Sequence, residues 1–416
     1  MHKSNLPTII SSAHNEVIQS CLIYNEIVFL GLRNGFIEVF DYKENSKIGE
    51  IINLFENEAK KSEKEQKLNP HSNQIVSIQL IKELEKSLII FIQSRGGIIF
   101  IINYNIKDNN SKLLINYDTK IETFTEFFLT NKIQKKEWET QLKNKSNKKD
   151  AYNIIYPLEK NNEIEILFYN HKDNEEEPSK DNIEKINQNF DYIIDEDGQK
   201  ILDVYKDMES KIIQIINLSK GDQTNFGNYL VMVYEKTLIF ILNEQMNYVS
   251  HYSLSFSLKL YESIINIYSF RFQNNYYICI GLFSQNLIVL KFDCEKKELY
   301  YFETIKNICP EIKYGISCFT TGTVKSNDLF VDDELIQSKF LLFVGTFSKR
   351  VKIFEIIDAE KNEENEGNKI NIEQKVKFND LGNLIVDNSG AINQIHFNEG
   401  NLFVVCDRKI LYIYSV

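Results

Sequence analysis

The sequence predicts an all-β protein, a seven-bladed β-propeller whose first residues complete its last blade. Three observations carry this. A unit of short apolar strands and tight polar turns recurs along the chain. The 416 residues include 28 Phe and 22 Tyr, with Ile abundant, and such side chains suit pleated, half-buried surfaces. The last unit is one strand short, while an unused apolar run stands at residues 6–10. With only five Pro and 16 Gly, the turns must be made by Asn, Asp, Ser and Lys.

The repeat is clearest in its second strand, turn and third strand. It reads IVFLGLRNGFIEVFD from Ile27, LIIFIQSRGGIIFII from Leu88 and YLVMVYEKTLIFIL from Tyr229. It returns as YICIGLFSQNLIVLKFD from Tyr277, LLFVGTFSKRVKIFE from Leu341 and FVVCDRKILYIY from Phe403. A degraded seventh copy fits 151–157 followed by 163–169. Alternating first strands precede the copies at 17–21, 75–79, 212–216, 264–270, 316–320 and 392–397. Fourth strands follow at 48–54, 113–117, 246–252, 299–303 and 372–378. Four strands per unit and seven units make a seven-bladed propeller. Each such sheet exposes two apolar faces, and only radial stacking covers both. Continuous apolar runs at 88–92 and 98–102 mark strands covered on both sides. The unit at 390–416 holds three strands, so residues 6–10 are expected to supply its fourth.

One propeller over 1–416 is therefore expected, with insertions at about 56–70, 131–150, 171–188, 322–338 and 358–368. If the strands of a blade run a to d from axis to rim, the a–b and c–d connections share one face. The d–a and b–c connections share the other. The insertions at 131–150 and 322–338 read as a–b and those at 171–188 and 358–368 as c–d, so these four lie together. The run 132–149 is Lys-rich and holds the single Trp, Trp138, while 173–197 is acidic. Such runs read first as solvated loops. The sharper reading is docking arms, with Trp138 and Leu142 anchoring a short amphipathic helix.

The b–c turns are short and share a feature. Arg33, Arg95, Lys236, Lys349, Arg350, Arg408 and Lys409 fall in or beside them and should ring one face. With Trp138 they are the candidate partner-binding residues. A basic rim on an acidic protein attracts an acidic peptide or phosphate. The plainer reading is that exposed turns take Lys and Arg for solubility and to cover apolar surface with their stems.

The 48 Lys and Arg against 59 Asp and Glu give a net charge of −11, which argues against a general nucleic-acid or anionic-membrane binder. The six Cys form no C-x-x-C pair, so neither a zinc site nor a disulfide framework is signalled. Reduced core thiols of the cytosol or nucleus are expected. The six His are scattered without metal-ligand spacing. No phosphate-binding glycine loop, dinucleotide fingerprint or nucleophile elbow occurs. Neither a signal peptide nor a membrane span is expected. No catalytic residue, metal or cofactor is assigned, and the expectation is a non-enzyme. An active site built from channel carboxylates of several blades carries no positive sign.

The copies resemble WD repeats. His14 and His71 stand before strand a, Gly31, Gly281 and Gly345 close strand b, and Arg33-Asn34-Gly35 makes a turn. Phe40-Asp41 and Phe292-Asp293 replace the family's Trp-Asp, while Asn103-Tyr104, Glu355-Ile356 and Ser415-Val416 depart from it. The resemblance thus implies blade stacking with the His, Asp and Trp network mostly lost.

The order of features is similar to that of ASTRA-associated WD-repeat proteins and the related guanine nucleotide-binding protein beta-like proteins. These features are the start at His14, the degraded third blade, Lys313-Tyr314-Gly315-Ile316 opening blade six and Ala391-Ile392-Asn393 opening the last. The resemblance implies a non-catalytic scaffold of the nucleus or cytoplasm, whose partners are proteins in a multi-subunit complex. Such a subunit works with the Tel-two-Tti co-chaperones in maturing phosphatidylinositol-kinase-related kinases, or in chromatin complexes. It implies no direct nucleic-acid contact. Two alternatives stand beside it. One is a phosphoinositide-binding propeller at membranes, whose Phe-Arg-Arg-Gly motif Ser94-Arg95-Gly96-Gly97 does not match. The other is a different WD-repeat adaptor of a large assembly.

Overall fold

The computed structural model describes residues 6–51, 53–55, 72–121, 123, 127–130, 151–158, 163–170, 183–189, 212–218, 229–234, 238–243, 246–254, 263–273, 275–309, 315–325, 338–359, 375–386, 390–406 and 408–416. These form 28 strands and one short 3-10 turn at Asn53–Phe55. The first strand, β1 (Thr8–Ser11), stands apart. Blade one follows with β2 (Ile18–Tyr24), β3 (Ile27–Leu32), β4 (Ile37–Asp41) and β5 (Ser46–Ile51). Blade two holds β6 (Ile75–Glu83), β7 (Ser87–Ser94), β8 (Ile98–Asn105) and β9 (Asn110–Asp118). Blade three holds β10 (Phe128–Thr130), β11 (Ala151–Pro157), β12 (Glu163–Asn170) and β13 (Ile183–Asn189). Blade four holds β14 (Ile212–Asn217), β15 (Leu230–Tyr234), β16 (Leu238–Leu242) and β17 (Tyr248–Ser253). Blade five holds β18 (Ile264–Phe272), β19 (Asn275–Leu282), β20 (Leu287–Asp293) and β21 (Glu298–Ile305). Blade six holds β22 (Ile316–Lys325), β23 (Ser338–Thr346), β24 (Arg350–Ala359) and β25 (Lys375–Ile385). Blade seven has β26 (Ile392–Asn398), β27 (Asn401–Cys406) and β28 (Ile410–Ser415).

The seven sheets are four-stranded and antiparallel, and the last is completed by β1 in the order β1-β28-β27-β26. The fold is a seven-bladed propeller closed by its N-terminal strand. In that seam Ile9 faces Tyr412 and Ile10 faces Leu411. The strand is displaced from the expected 6–10. Leu6 is 90% exposed, because Pro7 has no N–H for a ladder and the pairing starts beyond it.

Other boundaries also differ from the sequence reading. The expected insertion 171–188 contains a strand, β13, which supplies blade three's rim and divides the acidic run 173–197. Strands β22, β23 and β24 extend into the expected insertions 322–338 and 358–368. The rim strand expected at 372–378 is β25, running to Ile385. The insertions 56–70 and 131–150 lie outside the described residues.

Period-two alternation decides which neighbour each side chain covers. In β19, Tyr276, Ile278, Ile280 and Leu282 join the core shared with blade four, while Tyr277 and Cys279 join the core shared with blade six. In β7, Ile90 and Ile92 pack toward blade one, and Ile89 and Phe91 toward blade three. In β27, Leu402 and Val404 meet blade six, and Phe403 and Val405 meet blade one. Every second residue is thus spent on the sheet next door.

Strand a carries a repeated irregularity. In six blades it bulges immediately after an isoleucine: Ile18, Ile75, Ile212, Ile264, Ile316 and Ile392. A bulge kinks the strand and re-aims side chains. The isoleucine drives into the preceding blade, where glycine makes room. A Cβ on Gly31 would stand 2.6 Å from Ile75, and one on Gly281 would stand 2.7 Å from Ile316. Polar side chains of strand a then tie blades together. Ser20 Oγ donates to the Ile75 carbonyl (3.0 Å), Asn266 Nδ2 to the Ser317 carbonyl (2.7 Å) and Ser269 Oγ to the Asn217 carbonyl (2.6 Å). Gln394 Oε1 accepts from the Cys21 amide (2.9 Å), across the seam between the last blade and the first. Blade locking by hydrogen bonds is present, through different residues from those the family resemblance implies.

The residues singled out in the resemblance have other tasks. His14 Nε2 lies 3.0 Å from Glu50 Oε2, and the fully buried Glu38 accepts from the amides of Ala13 (3.1 Å) and His14 (2.9 Å). Blade one thereby grips the connection that leaves the closing strand. His71 lies outside the described residues. The Asp of the Phe-Asp pairs caps the c–d turn. Asp41 accepts from the amides of Lys43 and Glu44, and Asp293 from those of Glu295 and Lys296. In blade two Asn105 accepts from Lys107 and Asp108, so the equivalent pair is Tyr104-Asn105 and not Asn103-Tyr104. Four residues after each cap the backbone turns left-handed, at Asn45, Asn109 and Lys297.

Ile10 is fully buried in the seam and Ile9 is largely exposed. Ile10→Ala should lower unfolding free energy by about 2–5 kcal/mol, and Ile9→Ala by under about 1 kcal/mol. Urea denaturation of both variants checks this; equal effects contradict the seam.

Candidate functional site

The rim on which the sequence reading placed its basic candidates is formed by the b–c turns, and one backbone hydrogen bond fixes it in four blades. The first turn residue donates its N–H to the carbonyl of the residue preceding strand a of the same blade. Arg33 donates to Val17 (2.9 Å), Arg95 to Gln74 (2.8 Å), Phe283 to Ser263 (3.0 Å) and Phe347 to Gly315 (3.1 Å). The side chain at this position therefore leaves a rigid corner in each blade. It is arginine in blades one and two, and phenylalanine in blades five and six.

The turns are also pinned from neighbouring connections. Carbonyls accept as follows: Arg95 from Thr123 N (3.0 Å), Lys349 from Val386 N (2.9 Å), Arg408 from Ile18 N (2.9 Å) and Lys409 from Ser12 N (2.9 Å). Lys409 Nζ donates to Asn15 Oδ1 (3.0 Å). Gly35, at φ +91°, allows the Arg33 turn to tighten, since left-handed backbone suits glycine.

The structure brings Lys349, Arg350, Arg408, Lys409, Arg33 and Arg95 onto one face, in an arc over blades six, seven, one and two. Arg33, Lys349, Arg408 and Lys409 are exposed; Arg95 and Arg350 are half-buried. Arg350 opens strand β24, opposite Ile385. Lys236 and Trp138 lie outside the described residues.

Sequence reading missed the apolar part of this face. Phe283 is 47% exposed, Phe347 38% and Ile385 48%. The signal was available. Aligning the copies on Gly31, Gly281 and Gly345 puts Phe283 and Phe347 where blade one has Arg33.

Among the described residues no group of three or more His, Cys, Asp and Glu is placed to hold a metal. In blade three the buried Tyr156 donates its hydroxyl to Glu165, and Lys185 Nζ approaches the same carboxylate at 3.3 Å. Burial and that carboxylate push the Tyr156 hydroxyl far up. Cys21, Cys279, Cys309, Cys318 and Cys406 are buried and none is in a disulfide. Burial pushes the Cys318 thiol up to about 12 and the half-buried Cys294 to about 11. A thiol is a nucleophile only as thiolate, so at neutral pH these are inert.

No protein-family model matches the sequence, and no match was found among curated proteins. Solved structures are similar in shape. Raptor of Chaetomium thermophilum superimposes with a TM-score of 0.56 at 12% identity, over 98% of this chain and 28% of that one. The β-propeller domain of Myceliophteria thermophila Cps50 (Swd1) gives a TM-score of 0.54 at 8% identity, over 97% and 99%. What these share with the chain is the propeller fold. The chain spans under a third of the Raptor chain.

With a disulfide reagent at pH 8, the folded protein should release no more than one thiol equivalent, from Cys294, and only slowly. All six should react in denaturant. Fast labelling of several thiols in the native state contradicts the burial described.

Proposed function

We propose that the protein is a non-catalytic scaffold that binds other proteins through the b–c face of its propeller. The observation that supports this is the arc of six basic residues, four of them exposed, set in turns whose backbone is pinned. A fixed positive rim on a chain of net charge −11 concentrates acidic partners at one place and orients them. Propeller folds host many functions, so the reading rests on this rim and not on the architecture.

The finer proposal is an ASTRA-type WD-repeat subunit, acting in the nucleus or cytoplasm with co-chaperones that mature phosphatidylinositol-kinase-related kinases, or in chromatin complexes. It is supported by the layout of blades one, three, six and seven in the sequence. Its partners are then proteins of a multi-subunit assembly. No helix among the described residues is long and apolar enough to cross a membrane.

Affinity purification from the native cell, followed by mass spectrometry, tests both levels. The unmodified protein should recover kinase-maturation co-chaperone subunits. Replacing Arg33, Lys349, Arg408 and Lys409 by Ser removes four rim charges at about 0.5 kcal/mol each, or roughly 30-fold in affinity, so recovery should fall sharply. Undiminished recovery removes the rim from the account, and recovery of unrelated assemblies removes the ASTRA assignment.

A further inference from the structure

Seven large apolar side chains are exposed among the described residues: Leu6, Ile9, Phe283, Tyr301, Phe347, Leu381 and Ile385. Five of them sit on blades five and six, and three of these converge on the b–c face. Phe283 and Phe347 flank Gly315. The Phe347 amide donates to the Gly315 carbonyl, and a Cβ on Gly315 would stand 2.6 Å from the Phe283 Cα. Only glycine lets the two turns approach this closely.

Ile385 reaches the same corner from the rim. It lies opposite Arg350 in the ladder, and the following residue, Val386, donates to the Lys349 carbonyl. On the other side, the Ile308 amide donates to the Gln285 carbonyl (3.2 Å) and the Asn307 amide to Asn286 Oδ1 (3.2 Å). The exposed Lys306 is thereby held beside the Phe283 turn.

Among the described residues the charges around this corner have one sign; Glu311 and Asp387, in the same connections, lie outside them. In the turns at 283–286 and 347–350 and the described connections at 306–309, 315 and 386, the charged residues are Lys306, Lys349 and Arg350, and no acidic residue occurs. Scattered exposed apolar groups are ordinary on protein surfaces. Two phenylalanines and an isoleucine on pinned backbone, rimmed by cations of a net-acidic chain, are not scattered. An occupant must be both acidic and apolar to match them. A free phosphate or a nucleic-acid backbone would satisfy the cations and leave the rings in water.

We propose that the junction of blades five and six on the b–c face is a docking site for a short acidic peptide segment of a partner protein. An aromatic or aliphatic anchor of that segment packs on Phe283, Phe347 and Ile385, and its carboxylates meet Lys306, Lys349 and Arg350. The segment's acidic continuation follows the basic arc toward Arg408 and Arg33. The proposal rests on the scaffold reading and names the chemistry of its partner. Exposed aromatic groups in fixed positions are the usual anchors of such contacts, and the charges set approach and register.

The test uses the full chain and three fluorescein-labelled twelve-residue peptides, read by fluorescence anisotropy. One alternates Asp and Glu with Leu and Phe, one has every acid replaced by Lys, and one has every apolar residue replaced by Ser. The first should bind saturably, and the other two at least about tenfold more weakly. Phe283→Ser with Phe347→Ser, and separately Lys349→Ser with Arg350→Ser, should each weaken it about tenfold or more while leaving thermal unfolding unchanged. Phe283→Leu with Phe347→Leu should retain binding. No saturable binding of the first peptide overturns the proposal. So does binding that survives either Ser double variant at full strength. If the phenylalanine variants still recover the cellular partners, the docking site falls and the scaffold reading stands. If no partner is recovered by any form, the scaffold reading falls with it.

Discussion

Each sheet in this protein is apolar on both faces, and only another sheet can cover each face. The seam between blades seven and one shows the size of the constraint. Twelve buried residues meet there, among them Ile10, Val28, Leu30, Phe403 and Leu411. At about 1.5 kcal/mol for each large apolar side chain kept from water, and even at half that, an open seam would forfeit on the order of 10 kcal/mol. That is comparable to the entire stability of an ordinary domain. A ring with a gap is therefore not a stable alternative, and β1 is the piece that removes the gap.

The same constraint fixes the functional face. For the sheets to lean together, strand a must bend, and it does so at a bulge that follows an isoleucine in six blades. The isoleucine enters the neighbouring blade beside a glycine such as Gly31, Gly281 or Gly345. In blades one, two, five and six the carbonyl just before the bulge then receives the first amide of the b–c turn. Packing thus positions the turn, and the turn positions its side chain. What varies freely is the identity of that side chain, arginine in blades one and two and phenylalanine in blades five and six. Surface chemistry can change there without disturbing the ring.

Much of this was legible from residues alone. The continuous apolar runs at 88–92 and 98–102 read as doubly covered strands, and each strand of blade two splits its side chains between two cores. Turn chemistry was legible too, since five of the eleven left-handed non-glycine residues described are Asn. Strand β13 was missed because it is a rim strand, with Lys185 and Asn187 exposed, and a strand paired on one edge needs few apolar residues. The Asn103-Tyr104 pairing slipped by one because apolar character does not mark register. The side-chain oxygen of Asn105, three residues before the amide it caps, does. The aromatic corner shows only when the copies are aligned on Gly31, Gly281 and Gly345, because no motif marks a phenylalanine exposed in a turn.

The central claim is that the N-terminal strand belongs to the last blade's cooperative unit. Native-state hydrogen exchange measures this directly, by comparing residues 8–11 with residues 410–415 as urea is raised. The closed ring requires both segments to be protected in water and to lose protection together, at the free energy of the whole propeller. Exchange of 8–11 at the rate of an unfolded chain, while 410–415 stays protected, would contradict it.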